Sequence, residues 1–167
     1  PIFNADQHSK GLLKNNLIII KKIVKNFGEN IIEKDEINTK KLSKIVFSNK
    51  ERLETLNNIL HPAVIEGFKQ WIQKQNTKYI IKESAILFET NTYKTLDKII
   101  LVQSPLNLRI SRVCNRDKRN KHEVSKIIEN QYQSKDMIRH VNYIINNDDE
   151  NLLTPQVLEI HKLSSQL

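Results

Sequence analysis

The stretch Tyr79-Ile80-Ile81-Lys82-Glu83-Ser84-Ala85-Ile86-Leu87-Phe88-Glu89 decides the predicted fold. Residues 79–81 form a short β-branched and aromatic run, which predicts a strand that is buried on both faces, as in a parallel α/β sheet. Glu83 and Ser84 follow this run directly. Because α/β folds bind their ligands outside the carboxyl ends of parallel strands, Glu83 is a candidate site residue.

Apolar patterning extends the prediction along the rest of the chain. Residues 97–102 and 143–146 predict two more short strands, and residues 1–6 look like the end of a strand that carries Asp6 into a helix over about 7–27. The apolar side chains between residues 7 and 76 recur at spacings of three and four, which predicts helices without intervening strands. His61-Pro62 interrupts the longest of these helices, so a kink or break is expected there.

The second half of the chain alternates strands with helices. Ser104 or Asn107 is predicted to open a helix that carries arginines, and further helices are predicted over residues 122–131, 135–141 and 151–167. Pro155 stands in the first turn of the last helix, where proline is tolerated. Strand–helix–strand alternation of this kind predicts a parallel sheet with right-handed crossovers.

Composition limits the class of protein. The 167 residues are 38% apolar and 28% charged, with only three glycines and four prolines, which is typical of a globular protein without linkers. The one cysteine, Cys114, cannot form an internal disulfide, so we expect a reducing compartment and a cytoplasmic location. No apolar run reaches the length of a membrane span, and we expect no membrane partner.

The net charge of +8 favours anionic partners, among them nucleic acid, acidic lipid and phosphorylated small molecules. The cations gather in one segment: Arg109, Arg112, Arg116, Lys118, Arg119, Lys121 and Lys126, against Asp117 and Glu123. Arg112 and Arg116 are four apart, so they share a helix face and could hold one polyphosphate, although a solvated face with surface ion pairs remains an alternative. No aromatic residues interleave with these cations, which disfavours nucleic acid.

The histidines do not have the spacing of metal ligands. The residues around His61, which precedes Pro62, favour a structural role for this histidine over a role as a base.

Several fragments together resemble one known family. Residues 1–6, Pro-Ile-Phe-Asn-Ala-Asp, resemble the strand end V-x-D-A-D of the dephospho-CoA kinases. Residues 56–62 are similar to the family's L-N-x-I-x-H-P helix, and residues 83–89 to its E-x-P-L-L-F-E segment. Arg109-x-x-Arg112-x-x-x-Arg116-Asp117, followed by Gln131 and residues 142–146, resembles its lid and final strand. The resemblance spans nearly the whole chain, in order.

The resemblance implies a fold and a division into domains. The fold is α/β, with a parallel-sheet, P-loop-kinase-like three-layer core that lacks its first strand and phosphate loop, because the family's G-x-x-x-x-G-K-[ST] loop is missing from this sequence. Residues 1–27, 76–108 and 140–167 would form the nucleotide-binding core, 28–75 a helical lobe for the CoA substrate and 109–139 a helical lid. We expect the chain in this truncated form to be inactive.

The resemblance also implies an activity and a set of site residues. The activity is ATP-dependent phosphorylation of the ribose 3′-hydroxyl of dephospho-CoA, the last step of coenzyme A biosynthesis, with ATP and Mg²⁺ as cofactors. Asp6 would be the general base and would hold Mg²⁺ through a water, and Arg112 and Arg116 would neutralise the transferring phosphoryl group. Residues assigned to substrate binding are Lys10, His61, Glu83 and Arg139. Asn146, at the end of the last strand, would lie near the adenine of the cofactor.

The chain departs from the family pattern at Asn4 and Asn142, where acids are usual, and at Arg109, where glutamine is usual. None of these positions is Asp6. Two alternatives stay open: another nucleoside-monophosphate-type or shikimate-type P-loop kinase, and a basic nucleic-acid-binding module. The sequence does not predict an oligomeric state.

Overall fold

The computed structural model describes residues 1–47, 49–129 and 137–166. The chain divides into two compact units, Pro1–Ala85 and Ile86–Leu167. Each unit contains one pair of parallel strands together with helices, so the predicted α/β class with parallel strands is confirmed.

The first unit pairs two parallel strands and packs helices around an apolar cluster. Its elements are β1 (Ile2–Asn4), α1 (Ala5–Asn15), α2 (Leu17–Phe27), a 3₁₀ turn (Glu29–Ile31), β2 (Ile32–Glu33), β3 (Glu36–Ile37), α3 (Thr39–Phe47), α4 (Lys50–Ile72) and β4 (Ile81–Glu83). Strand β1 pairs with β4 so that Ile2, Phe3 and Asn4 lie opposite Ile81, Lys82 and Glu83. The buried cluster comprises Leu13, Ile19, Ile23, Phe27, Ile31, Ile37, Leu42, Val46, Leu56 and Leu60.

Asparagine side chains set the helix boundaries in this unit. Asn38 Oδ1 accepts hydrogen bonds from the backbone N–H groups of Lys40 and Lys41, both at 3.0 Å, and Asn49 Oδ1 accepts one from Arg52 at 3.1 Å. Asn38 and Asn49 therefore cap α3 and α4. The single helix predicted over about residues 7–27 is wrong, because Asn16 ends α1 and its Oδ1 caps α2 through the N–H groups of Ile18 and Ile19.

Two more features of the helical region differ from what was expected, a hairpin and the absence of a break at Pro62. Strands β2 and β3 form a short antiparallel hairpin where only helices were expected. Its turn residues, Lys34 and Asp35, have φ angles of 52° and 63°, the left-handed pair that a two-residue hairpin turn needs. Helix α4 also continues through Pro62 without a break. A proline removes one helical hydrogen bond, and packing on both sides of it, at buried Leu60 before and at the Phe68 ring after, holds the helix together.

Strand β4 begins two residues later than predicted and is not buried on both faces. It covers Ile81–Glu83, and Ile81 is 40% exposed. Glu83 is therefore the last residue of the strand and does not follow it. Side chains on successive strand residues point to opposite faces, so Lys82 lies on the face that includes buried Phe3, and Ile81 on the other.

The second unit contains the other parallel pair. Its elements are a 3₁₀ turn (Thr92–Thr95), β5 (Ile100–Gln103), α5 (Leu106–Asp117), α6 (Lys121–Glu129), β6 (Tyr143–Asn146) and α7 (Leu153–Ser165). Residues 100–103 of β5 lie opposite residues 143–146 of β6. The predicted last strand and the closing helix with Pro155 in its first turn are confirmed.

The start of α5 differs from the prediction. Pro105 precedes the helix and no side chain caps it, so neither Ser104 nor Asn107 has the predicted capping role. Gln131 and the first two residues of the helix predicted over 135–141 lie outside the described residues. In the rest of that range residues 137 and 138 are helical and residues 139 and 140 form a turn, so the helix ends earlier than predicted. Among the residues that the structure does describe, no helix is both long and apolar enough to cross a membrane.

Candidate active site

The carboxyl ends of β1 and β4 lie side by side in the first unit. Asn4 is paired with Glu83 in the strand register, and α1 begins at the next residue, Ala5. Asn4 Oδ1 accepts a hydrogen bond of 2.7 Å from the N–H of Gln7 and so caps α1. Asp6 lies in the first turn of α1, where the positive end of the helix dipole favours a carboxylate. Asp6 and Glu83 therefore both lie at the strand edge where α/β folds bind ligands.

Lys10 pairs with Asp6 across one helical turn. Its Nζ is 2.6 Å from Asp6 Oδ2, and the two side chains are 67% and 66% exposed. Surface ion pairs of this kind contribute less than about 1 kcal/mol, so a ligand that binds either charge displaces the other at little cost. The structure thus brings together two of the predicted site residues, Asp6 and Lys10.

Lys82 is a neighbouring cation that sequence reasoning missed. Its Nζ lies 4.8 Å from the centre of the Phe68 ring, and burial lowers the pKa of this half-buried lysine. The rings of Phe3, Phe68 and Trp71 pack together beside it, with Phe3 centred 5.0 Å from Phe68 and 5.6 Å from Trp71. The sequence gives no local signal for this contact, because Lys82 and Phe68 meet only in the folded chain.

Two histidines of the first unit have buried ring nitrogens. The Nε2 atoms of His61 on α4 and of His8 on α1 are buried and have no hydrogen-bond partner among the described residues. Burial lowers the pKa of His61, which favours its neutral form. The His8 ring lies 5.1 Å from Phe3 and against Gly67, where a Cβ atom would collide with it. His8 therefore takes part in the packing between α1 and α4.

Arg112, a predicted site residue of the second unit, makes several side-chain hydrogen bonds. From α5 its Nη1 donates to the carbonyl oxygen of Asn147 at 3.0 Å, to the side-chain oxygen of Asn147 at 3.1 Å and to Ser104 Oγ at 3.3 Å. Its Nη2 lies 2.5 Å from Asp149 Oδ1. The guanidinium thus joins α5 to the segment that follows β6. Sequence reasoning missed Asn147 and Asp149, although polar residues directly after a strand signal such a site.

The other arginines have different surroundings. Arg116 is 74% exposed and binds the adjacent Asp117 through two hydrogen bonds of 2.7 and 3.0 Å. The hydrogen bond from Arg116 is the main cause that lowers the pKa of Asp117. Arg139 is exposed, and the Nε of Arg109 is buried without a partner among the described residues. Arg112 is therefore held in place, while Arg116 is the more accessible cation.

Asn146 is positioned by two glutamines. Its Oδ1 accepts a hydrogen bond of 2.7 Å from Gln103 on β5, and its backbone N–H and carbonyl both bond to the side chain of Gln156 on α7. Asn142 precedes β6, and its Oδ1 accepts the N–H of buried Ile99 at 2.9 Å. An acceptor at residue 142 thus satisfies a backbone donor at the start of this strand pair.

The described residues contain no cluster of three or more side chains of the types that usually bind metals. Asp6 is an exposed carboxylate at the strand edge that also includes Glu83. One carboxylate is compatible with Mg²⁺, which keeps several waters and is often held by one or two carboxylates together with substrate phosphates.

Comparisons with known proteins agree on the family. The family model described as "CoaE: Dephospho-CoA kinase" matches residues 1–152. A dephospho-CoA kinase from Fusobacterium nucleatum is 36% identical over 148 residues, which cover 88% of this chain and 76% of that protein. A dephospho-CoA kinase from Gamma-proteobacterium EBAC31A08 is 33% identical over 96% of this chain and 82% of its own length.

Solved structures agree with the fold. The crystal structure of TT1252 from Thermus thermophilus superposes with a TM-score of 0.85 at 21% identity, over 98% of this chain and 83% of that one. A dephospho-CoA kinase from Campylobacter jejuni has a TM-score of 0.63 at 27% identity, over 99% of this chain and 85% of its own. From the family match, these relatives and the shared fold, we conclude that this chain belongs to the dephospho-CoA kinase family.

Proposed function

We propose that this protein transfers the γ-phosphoryl group of ATP to the ribose 3′-hydroxyl of dephospho-CoA, which gives ADP and coenzyme A. The family match over residues 1–152 carries this proposal. The reaction needs a base for the hydroxyl proton, cations for the phosphoryl oxygens and a surface that orients the acceptor. Candidate residues for each role are present in the described parts of the chain.

Asp6 is our candidate for the general base. Its exposed carboxylate lies in the first turn of α1, next to the strand edge that includes Glu83. In the proposed step Asp6 accepts the 3′-hydroxyl proton, the ribose oxygen forms a bond to the γ-phosphorus, and the bond between that phosphorus and ADP breaks. Lys10, which is paired with Asp6, would bind a substrate phosphate as the acceptor enters.

Magnesium belongs to the proposal as a cofactor. Asp6 would hold it through a water, and the ion would supply positive charge to the phosphate oxygens. Asp6 is the acid assigned to both tasks, so its replacement is expected to affect catalysis and the dependence on Mg²⁺ together.

The arginines of the second unit would neutralise phosphate charge. Arg116 is exposed and its planar guanidinium suits phosphate oxygens. Arg112 is held by Asn147 and Asp149, which would fix the direction of its remaining N–H groups. Arg139 would add a further contact to the substrate. Asn146, held by Gln103 and Gln156, would contact the adenine of ATP.

His61 and Glu83 complete the proposed set. The buried Nε2 of His61 has no partner in the described structure, and a polar group of the substrate would satisfy it. Glu83 would bind a hydroxyl or amide of the acceptor at the strand edge. Residues 28–75 would form the lobe that receives the CoA substrate, and a cytoplasmic location is part of the proposal because Cys114 has no second cysteine with which to form an internal disulfide.

The test measures ADP release by the natural gene product with Mg-ATP and dephospho-CoA, and with AMP and shikimate as parallel acceptors. We expect turnover with dephospho-CoA and a fall in kcat of at least about 100-fold in Asp6→Asn, because a general base contributes that much or more. Asp35→Asn is the matched control, since Asp35 is an exposed acid of the same unit in the β2–β3 turn. Turnover confined to AMP or shikimate would refute the substrate assignment, and full activity of Asp6→Asn would refute the base.

A further inference from the structure

An open cavity with both apolar and polar lining lies in the first unit, at the opposite end of α4 from the Asp6 region. It has a volume of about 490 Å³ and is lined by residues from α2, α3, the 3₁₀ turn and the start of α4: Phe27, Asn30, Lys44, Ile45, Asn49 and Arg52. The lining thus contains two cations and two side-chain amides, and no acidic residue is among the described residues that form it. This combination suits an anionic ligand with hydrogen-bond acceptors.

Arg52 is already oriented at this cavity. Its Nη1 donates a hydrogen bond of 2.9 Å to the carbonyl oxygen of Asn26, and its guanidinium carbon lies 5.9 Å from the centre of the Phe27 ring. Arginine has five N–H donors, and only this one carries a described hydrogen bond. An arginine that is held by its neighbours loses less side-chain entropy when it binds a ligand.

Lys44 is the second cation of the cavity. It is exposed and has no ion pair among the described residues, whereas Lys41 on the same helix lies 3.5 Å from Glu33. Asn49, the cap of α4, also lines the cavity, so the positive end of a 23-residue helix faces the same region. Lys44, Arg52 and the helix end all contribute positive charge.

The cavity is too far from Asp6 to bind the phosphate that reacts there. His8, two residues after Asp6, packs against Gly67, and Arg52 precedes Gly67 by fifteen residues on α4. At 1.5 Å per residue this separation is about 22 Å along the helix axis. A ligand group bound at Arg52 therefore belongs to a different site from one bound at Asp6.

We propose that the cavity lined by Lys44 and Arg52 binds a diphosphate group. The two cations of the cavity equal in number the two adjacent phosphates of such a group. The Arg52 guanidinium would pair with one phosphate and the Lys44 ammonium with the other. The side-chain amides of Asn30 and Asn49 would donate further hydrogen bonds. The diphosphate comes from free pyrophosphate or from a nucleotide that carries it. This site is additional to the phosphoryl-transfer site and does not depend on its assignment.

The test is an NMR titration of the ¹⁵N-labelled chain with inorganic pyrophosphate. The side-chain amide signals of Asn30 and Asn49 and the Nε–H signal of Arg52 are expected to shift together along one saturable curve. Lys44→Gln is expected to weaken the affinity read from these signals by about tenfold, the usual loss for one hydrogen bond to a charged group. Lys40→Gln removes the same charge from an exposed position of α3 outside the cavity and is expected to leave the affinity unchanged.

Arg52→Gln is a second variant, with its melting temperature recorded because Arg52 also holds Asn26. Parallel titrations with ADP and with dephospho-CoA distinguish a nucleotide from free pyrophosphate as the source of the diphosphate. A nucleotide that uses the cavity shifts the same three signals and loses affinity in Lys44→Gln, whereas a cavity that takes only free pyrophosphate shows neither effect. The proposal is overturned if pyrophosphate shifts none of the three signals, or if Lys40→Gln weakens binding as much as Lys44→Gln does. Loss of activity in Asp6→Asn would leave this titration unaffected, so the two proposals fail independently.

Discussion

Residues 1–85 contain ten buried side chains that pack as one apolar cluster, whereas the described part of residues 86–167 buries only Phe88, Ile99, Val124 and Ile145. The second unit instead connects its elements through polar groups. Arg112 joins α5 to Asn147 and Asp149, Gln156 joins α7 to Asn146, and Asn142 joins β6 to Ile99. The comparison indicates that the first unit depends mainly on apolar burial, while the second depends on individual hydrogen bonds.

The largest expected effect tests the apolar cluster. Ile23 is fully buried on α2, so Ile23→Ala removes buried methyl groups and leaves a cavity, with an expected loss of about 3 kcal/mol in the free energy of unfolding. Urea denaturation followed by circular dichroism measures this loss. Ile18→Ala is the control, because Ile18 is on the same helix and 68% exposed, and its cost is expected to stay below about 0.5 kcal/mol. Similar losses in both variants would argue against a cluster centred on Ile23.

The next effect tests the polar connections of the second unit. Asn142→Ala leaves the N–H of Ile99 without its acceptor at a buried residue, and we expect a loss of about 2 kcal/mol. Asn142→Asp keeps an oxygen at the same place and is expected to behave nearly like the natural protein. Urea denaturation measures the free energy of unfolding of both variants. Equal destabilisation by alanine and by aspartate would show that the hydrogen-bond acceptor at residue 142 does not stabilise the fold.

A smaller effect is expected where α1 packs on α4. A Cβ atom at Gly67 would collide with the His8 ring, so Gly67→Ala is expected to cost about 1 kcal/mol through overpacking. Gly11→Ala is the matched change on a helix with open space, and we expect it to gain up to about 1 kcal/mol from helix propensity. Adding His8→Ala should make the Gly67→Ala change less costly than it is alone. A cost that is independent of His8 would contradict this packing.

The smallest effect concerns pH. Burial lowers the pKa of His61 below its usual 6.5, so the folded protein binds this proton less readily than the unfolded chain. The contribution of neutral His61 to the free energy of unfolding is therefore fully present above about pH 6.5. It is lost as the pH falls through the lowered pKa of His61. The difference in unfolding free energy between pH 7 and pH 5 is expected to be larger in the natural protein than in His61→Asn. Thermal or urea unfolding at both pH values measures it, and an equal difference in the two proteins would contradict burial of His61 as the cause.

Much of the fold could be predicted because the strands and helices follow local patterns. The strand Tyr143–Asn146 and the position of Pro155 in the first turn of α7 both depend on neighbouring residues of the chain. The errors arose where another interaction outweighed the pattern. Asn16 competes for the backbone donors of α2 and divides a continuous apolar stripe, and packing of α4 outweighs the hydrogen bond lost at Pro62.

The site could be predicted only in part. The family resemblance indicated Asp6 and Lys10 as candidate site residues, and the structure places their side chains in contact. The sequence could not indicate that Asn147 and Asp149 hold Arg112. These residues are more than thirty positions away from Arg112, and the contact exists only after folding. Lys82 was missed for the same reason, because its packing on Phe68 is a property of the tertiary structure.

The single-residue connection at Asn16 has a consequence for how this segment can change in evolution. Asn16 is both the C-cap of α1 and the N-cap of α2, so no other residue separates the two helices. One inserted residue would turn α2 by about 100° relative to its present phase and would carry Ile19, Ile23 and Phe27 away from the cluster they now fill. Insertions and deletions between Leu13 and Ile19 should therefore be selected against, while the hairpin turn at residues 34–35 can vary in length without changing the phase of any helix.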